Sequence, residues 1–246
     1  MSYTRKYIDT LIDLLRRVEA EQEVNIKESA RLIVETTRRG GKIYIFGCTH
    51  AGILAQEAFY RTGGLAVINP ILPPGLTCDV TPITLTSALE RQSVYGRTII
   101  DSTDIKSGDL LFIHSVSGRN GVTVEMAIAA KEKGITVIGI TNLEYSQASG
   151  SRHESGKLLY ELCDIVIDNC GCFGDAAMDI DGFNAKTSPT STVTGAAILN
   201  AIVAESAAMF VESGIDPPIF KSANIDGSDE YNAVILEKYK DQIKYI

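Results

Sequence analysis

Four stretches of this chain are apolar from end to end: Ile43-Tyr44-Ile45-Phe46, Leu110-Leu111-Phe112-Ile113, Val137-Ile138-Gly139-Ile140 and Ile165-Val166-Ile167. None alternates apolar with polar residues. A strand apolar on both faces belongs in a parallel sheet covered on both sides. Parallel strands need long crossovers, and helical stretches separate these runs. The pattern predicts an α/β fold with three layers, a doubly wound parallel sheet of five strands. The strands are Lys42–Phe46, Ala66–Asn69, Leu110–His114, Thr136–Thr141 and Ile165–Asp168. In the order 2-1-3-4-5, strands one and three are neighbours at the switch point, where open α/β sheets bind ligands.

Helices are read around those strands. Residues 3 to 39 contain no Gly or Pro, and apolar residues recur at helical spacing from Ile8 to Val18 and again from Ile26 to Ile33. The polar interval Glu19–Glu23 suggests two helices or one bent one. Further helices are expected from the first loop to about Thr62, over Ser87–Tyr95, Thr98–Thr103, Val122–Lys133, Lys157–Cys163 and Val193–Val211, and from Asp229 onward. Three segments follow: an N-terminal helical segment (1–40), the sheet domain (41–214) and a C-terminal extension with a helix (215–246).

The two switch-point strands run into loops rich in small polar residues. The first is Gly47-Cys48-Thr49-His50-Ala51-Gly52; the second is Ser115-Val116-Ser117-Gly118-Arg119-Asn120-Gly121. Each precedes a helix, whose N-terminus offers free N–H groups and the positive end of a dipole. Glycines let the backbone approach an anion, and hydroxyls add donors. A third cluster, Thr187-Ser188-Pro189-Thr190-Ser191-Thr192, opens the helix at Val193. A small anionic ligand is expected, a phosphate ester above all.

Charge and cysteine content bound the rest. Formal net charge is −8, which argues against nucleic-acid and anionic-membrane partners. It leaves a phosphate bound by main-chain N–H groups untouched. The charged, amphipathic start is not read as a signal peptide. The longest apolar stretch, Val193–Val211, is broken by Asn200, Glu205 and Ser206, so no membrane span is expected. Five unpatterned cysteines fit a reducing cytoplasm. Gly47–Gly52 lacks the G-x-G-x-x-G dinucleotide pattern, and no cofactor or metal is expected.

The second loop resembles the phosphate loop of SIS (sugar isomerase) domains, in which a Ser-x-Ser-Gly-x-Ser/Thr segment holds the phosphate of a phosphosugar. Asn120 stands at the final hydroxyl position. The first loop resembles the family's Gly-x-Gly-x-Ser segment, with Thr49 for the second Gly and Ala51 for the Ser. Val137–Thr141 resembles the fourth strand, which ends in Thr. The resemblance covers about Thr36 to Val211. Gly174-Asp175-Ala176, Pro189–Thr192 and Ser222–Gly227 are similar to a bacterial branch described as sugar isomerase domain or phosphoheptose isomerase-like proteins.

The resemblance implies a phosphosugar held by Gly47, Cys48, Thr49, Ala51, Ser115, Ser117, Gly118, Arg119, Asn120, Thr190, Ser191 and Thr192. It implies a homodimer or homotetramer as well. The phosphoheptose isomerases it brings in carry His and Glu metal ligands on two helices; here those helices offer Glu57 and Glu205 and no His. An aldose–ketose isomerase needs a base, an acid for ring opening, and donors for an enediolate. Glu57 is the first candidate base, with the bland alternative of an ion pair with Arg61. His50 is the candidate acid. Glu205, a lone carboxylate in an apolar helix, is a second candidate base. His114 is expected to serve packing, and His153 to be exposed. Two other readings stay open: a non-catalytic phosphosugar sensor, and a phosphosugar lyase.

Overall fold

The computed structural model describes residues 2–246. In chain order its elements are α1 (Tyr3–Arg38), β1 (Ile43–Gly47), α2 (Ile53–Ala58), β2 (Ile68–Ile71), α3 (Thr84–Leu89), α4 (Ser93–Ser102), β3 (Leu110–His114), α5 (Gly121–Glu132), β4 (Thr136–Thr141), α6 (Leu143–Gln147), β5 (Ile165–Asp168), β6 (Ala176–Met178), β7 (Thr187–Pro189), α7 (Ser191–Glu212) and α8 (Ser228–Lys238). The first five strands form one parallel sheet in the order β2-β1-β3-β4-β5. The strands β6 and β7 form a separate antiparallel hairpin.

The apolar runs are buried on both faces, as their lack of alternation requires. Leu110 and Phe112 point into the core under α1, α2, α7 and α8; Leu111 and Ile113 point into the core under α4 and α5. Phe46, Phe112 and Phe210 are among the largest fully buried side chains.

α1 is one continuous helix of 36 residues, where two helices or a bend were the expectation. Its polar interval is spanned by ion pairs Arg16–Glu19 at 2.7 Å, Arg17–Glu21 at 3.2 Å and Lys27–Glu23 at 2.6 Å. Pairs three or four residues apart support an exposed helix face. The inward stripe runs through Gln22, which is buried because its Oε1 accepts the N–H of Asp168 on the edge strand β5, at 3.1 Å. A polar residue serving a sheet edge breaks the apolar period without breaking the helix.

The helix after the first loop is shorter than expected. A 3₁₀ turn over Thr49–Gly52 leads into α2, which stops at Ala58 instead of Thr62. Phe59 and Tyr60 leave the helix to meet Tyr245 edge-on at 5.4 and 6.1 Å, and Tyr60 also meets Phe220 at 5.5 Å. The helical stretch expected at Lys157–Cys163 is only a 3₁₀ turn over Leu159–Glu161. The β6–β7 hairpin and α6 carry too little periodicity to be read from sequence.

Both ends of the chain share the central core. Val18, Ile26 and Ile33 of the N-terminal helix join Ile235, Tyr239 and Ile243 of the C-terminal extension in one cluster with β1 and β3. Asn69 at the edge strand β2 donates to Ile43 O at 3.0 Å and Gln242 O at 2.9 Å, and accepts from Lys244 N at 2.6 Å. α7 is long and apolar enough to cross a membrane by length and composition, and here its Ile198, Ile202 and Phe210 fill the core.

The C-terminal extension is therefore expected to be essential for stability. Ile235→Ala should lower the unfolding free energy by about 2–5 kcal/mol, as for other large-to-small changes in a core. Urea unfolding followed by circular dichroism measures it; an unchanged midpoint would mean the extension docks only peripherally.

Candidate functional site

The ladder between β1 and β3 pairs Gly47 with His114, the last residues of the two strands. The two loops thus leave the sheet side by side at the same level. Their helices cover opposite faces, which opens a crevice between them.

The first loop is folded tightly on itself. A Cβ on Gly47 would lie 2.4 Å from Ala51 O, and one on Gly52 would lie 2.8 Å from Gly47 O. Thr49 adopts φ 52, in the left-handed region that favours glycine. Its N–H is held by Leu76 O at 2.7 Å. His50 is exposed on this turn. The Cys48 side chain is buried towards α5, and burial holds its thiol far above its ordinary pKa, with Glu90 adding to the effect.

The second loop is tethered at its base and open at its tip. Thr141 Oγ1 and Asn142 N both donate to Val116 O, each at 3.0 Å. Gly118 turns at φ 59, where a Cβ would come within 3.1 Å of Leu159 and Ser146. The main-chain N–H groups from Ser117 to Gly121 have no hydrogen-bond partner among the described residues. The hydroxyls of Ser115 and Ser117, both half-buried, are likewise uncommitted. Asn120 occupies the N-cap position of α5 but does not cap it. Its Nδ2 donates to Glu90 Oε2 at 2.6 Å, and its Oδ1 accepts from Arg152 Nη1 at 2.9 Å. Arg119 has a buried Nε with no partner, and its carbonyl accepts Arg152 N at 2.9 Å.

The third cluster is built differently. Asp175 Oδ1 accepts Thr190 N at 3.1 Å and Ser191 N at 2.8 Å, and its Oδ2 accepts Ser191 Oγ at 2.7 Å. The chain's own carboxylate thus takes the donors of Thr190 and Ser191 that an external anion would use. Thr192 is next along the same turn, half-buried. Lys186 pairs with Asp179 at 3.5 Å, apart from both loops.

The candidate bases from sequence are not brought together. Glu57 sits near the end of α2 in an ion pair with Arg61, the bland alternative weighed for it. Glu205 lies 14 residues beyond Ser191, about 21 Å along α7 at 1.5 Å per residue. There it lines a groove with Leu15, Glu19 and Glu23 of α1, away from the loops. Of the expected residues, Gly47, Thr49, His50 and Ala51 lie on the loop after β1, and Ser115, Ser117, Gly118, Arg119 and Asn120 on the loop after β3, which leaves the sheet beside it.

One expectation about another residue needs correction. His153 is buried rather than exposed, with Nε2 2.9 Å from Glu125 Oε2 and Nδ1 2.9 Å from Ser155 Oγ. Sequence reasoning also passed over Glu90. It falls within the stretch expected as a helix, Ser87–Tyr95, where nothing marks it out, and only its contacts reveal it.

A zinc of the phosphoheptose isomerase kind does not fit these residues. α2 offers a carboxylate already paired with Arg61, α7 offers Glu205 facing α1, and neither helix carries His. No group of three or more His, Cys, Asp or Glu side chains with metal-binding spacing occurs among the described residues.

His114 is 1% exposed; its Nδ1 lies 3.0 Å from Ala51 O and its Nε2 has no partner. Nδ1 therefore carries the proton. Burial holds its pKa below the ordinary imidazole value, against a smaller opposing effect of the Ala51 carbonyl. The unfolded chain, with a pKa of about 6.5, binds the proton more readily. Stability should then fall as pH drops below about 6.5 and be complete above it. Urea midpoints between pH 7.5 and 5.5 should shift less in His114→Gln than in the unsubstituted protein; equal shifts would refute this.

Comparison with known proteins bears on the whole chain. The SIS domain family model matches residues 6–142. A UPF0309 protein of Shouchella clausii is 48% identical over 246 residues, covering 100% of both chains. A UPF0309 protein of Streptomyces coelicolor is 42% identical, covering 98% of this chain and 96% of the relative. Among solved structures, a phosphoheptose isomerase from Francisella tularensis aligns with a TM-score of 0.56 at 16% identity, covering 84% of this chain and 98% of its own. The Vibrio vulnificus NanR protein complexed with ManNAc-6P aligns with a TM-score of 0.52 at 14% identity, covering 96% and 70%. At such identities these structures report the fold alone. The matched family model and the full-length relatives show that this chain belongs to the SIS domain family and, within it, groups with the UPF0309 proteins.

Proposed function

We propose that the crevice between the β1 and β3 loops binds a sugar phosphate and interconverts its aldose and ketose forms. The observation that carries the reading is the row of uncommitted N–H groups from Ser117 to Gly121 at the start of α5. A phosphate dianion accepts several such bonds at once, and the helix dipole favours its charge. The hydroxyls of Ser115 and Ser117 and the side chain of Arg119 add donors at the same rim. The name of the Francisella neighbour and the ligand in the NanR complex point the same way.

With the phosphate on the β3 loop, the sugar extends towards the turn of the β1 loop. His50, exposed on that turn, protonates the ring oxygen as the ring opens in this reading. Proton transfer between C1 and C2 then needs a carboxylate. A non-catalytic sensor is the second reading, favoured by one observation: Glu57 is held by Arg61. The proposed assembly is a homodimer or homotetramer. It would use the N-terminal half of α1, where Ile8 and Ile12 are 49% and 50% exposed. Size-exclusion chromatography with light scattering tests this, and a monomer at micromolar concentration would refute it. The cytoplasm is the proposed compartment.

The decisive test is proton NMR of the protein with hexose, aminohexose, pentose and heptose phosphates and a lactyl-ether aminosugar phosphate in D₂O. Loss of the C2 proton with appearance of the isomer is the expected result. Release of lactate would make it a lyase, and binding without chemistry would make it a sensor. Ser117→Ala should weaken binding roughly 10- to 100-fold, the effect of losing a hydrogen bond of about 1.5–3 kcal/mol to a charged group. Calorimetric titration measures it, and unchanged affinity would remove Ser117 from the site.

A further inference from the structure

A carboxyl group from outside both loops reaches the β3 loop. The segment Glu90–Ser93 lies against the start of α5: Glu90 O accepts Val122 N at 3.0 Å. A Cβ on Gly121 would lie 2.8 Å from Arg91 O and 2.6 Å from Ser93 Oγ. That close approach directs the Glu90 side chain to the β3 loop, where Asn120 Nδ2 donates to it at 2.6 Å. On its other side its charge reaches the Cys48 thiol of the β1 loop. The group is half-buried. Burial raises its pKa, against the opposing effects of Asn120, Arg152 and Arg91. Those four, Cys48, Asn120, Arg152 and Arg91, are the titratable or charged or hydrogen-bonding groups that face it.

A half-buried carboxylate beside a row of N–H groups suited to an anion is an electrostatic conflict. The ligand's charge and its own repel each other. A tie-down of Asn120 alone needs no charge there, since a glutamine would accept the same bond. Placement beside the phosphate cradle, at the seam of the two loops, suits a group that takes a proton from the ligand.

We propose that Glu90 is the base of this site, the group that moves the proton between C1 and C2 of an open-chain sugar phosphate. The assignment rests on the sugar-phosphate reading above. The Glu90 carboxylate takes the C2 proton; the C2–H electron pair forms the C1=C2 bond, and the carbonyl pair moves to O1. The Glu90 carboxylic acid then returns the proton to C1. The O2 proton passes to O1 through His50, and O2 becomes the ketose carbonyl. Atoms and charge balance, and no co-reactant enters.

The test measures two things on the same samples: binding of each panel sugar phosphate by phosphorus NMR, and exchange of its C2 proton in D₂O. Glu90→Gln is expected to keep its melting temperature and to bind within threefold of the unsubstituted protein. Its exchange should fall about 100-fold or more, the scale of general-base catalysis. Glu90→Asp should recover part of the rate. In the unsubstituted protein the rate should rise with pH across a limb above the ordinary carboxylate range, and the residual rate of Glu90→Gln should lack that limb. If Glu90→Gln does not fold, Glu90→Asp decides: binding kept with exchange at least tenfold down supports the assignment. Exchange in either folded variant within threefold of the unsubstituted protein overturns it. So does binding without exchange across the whole panel, which leaves sugar-phosphate binding standing and makes the protein a sensor. No binding by the unsubstituted protein overturns both.

Discussion

The parallel ladder between β1 and β3 is the constraint on which the rest depends. It sets Gly47 level with His114, so the two strands release their loops side by side. The helices that follow go to opposite faces, and the gap between them is unavoidable. A loop folded so tightly that Gly47 admits no side chain lies on one side, and a loop tethered by Thr141 and Asn142 at its base lies on the other.

What distinguishes the parts of the crevice is which donors are already used. The starts of α5 and α7 look alike in sequence, each a run of small polar residues before an apolar helix. At α7 the donors of Thr190 and Ser191 are met by Asp175, held at φ 68 in the turn before the β6–β7 hairpin. At α5 the cap residue Asn120 turns its amide to Glu90 and Arg152, and the N–H row from Ser117 to Gly121 stays open. Helix ends leave donors that must be satisfied by something. One end is satisfied from within the chain; the other keeps its donors open.

Much of the fold was legible because the physics behind it is local in sequence. The five strands lie within a few residues of their expected places, since runs such as Leu110–Ile113 can be buried only on both faces. The glycines that bound the helices and the two loops were equally visible. Less legible were features set by partners far away in the chain. α1 continues through Glu19–Glu23 because Gln22 serves the edge of β5. α2 ends early because Phe59 and Tyr60 pack on Tyr245 and Phe220. His153 is buried because Glu125 on α5 receives it.

The class of fold and the two loops after strands one and three were legible in the sequence alone. Both follow from periodicity and glycine placement, which act over a few dozen residues at most; the strand order is the one expected of the SIS-like fold that the chain resembles. Which charged groups meet those loops depends on how distant segments pack together. Glu57 goes to Arg61 and Glu205 to the α1 groove, while Glu90, unremarkable in its own stretch, comes to lie beside Asn120. The reason is physical. Hydrophobic burial is read from the pattern of a single segment, but the partner of a carboxylate depends on which segments the finished core brings within hydrogen-bond reach.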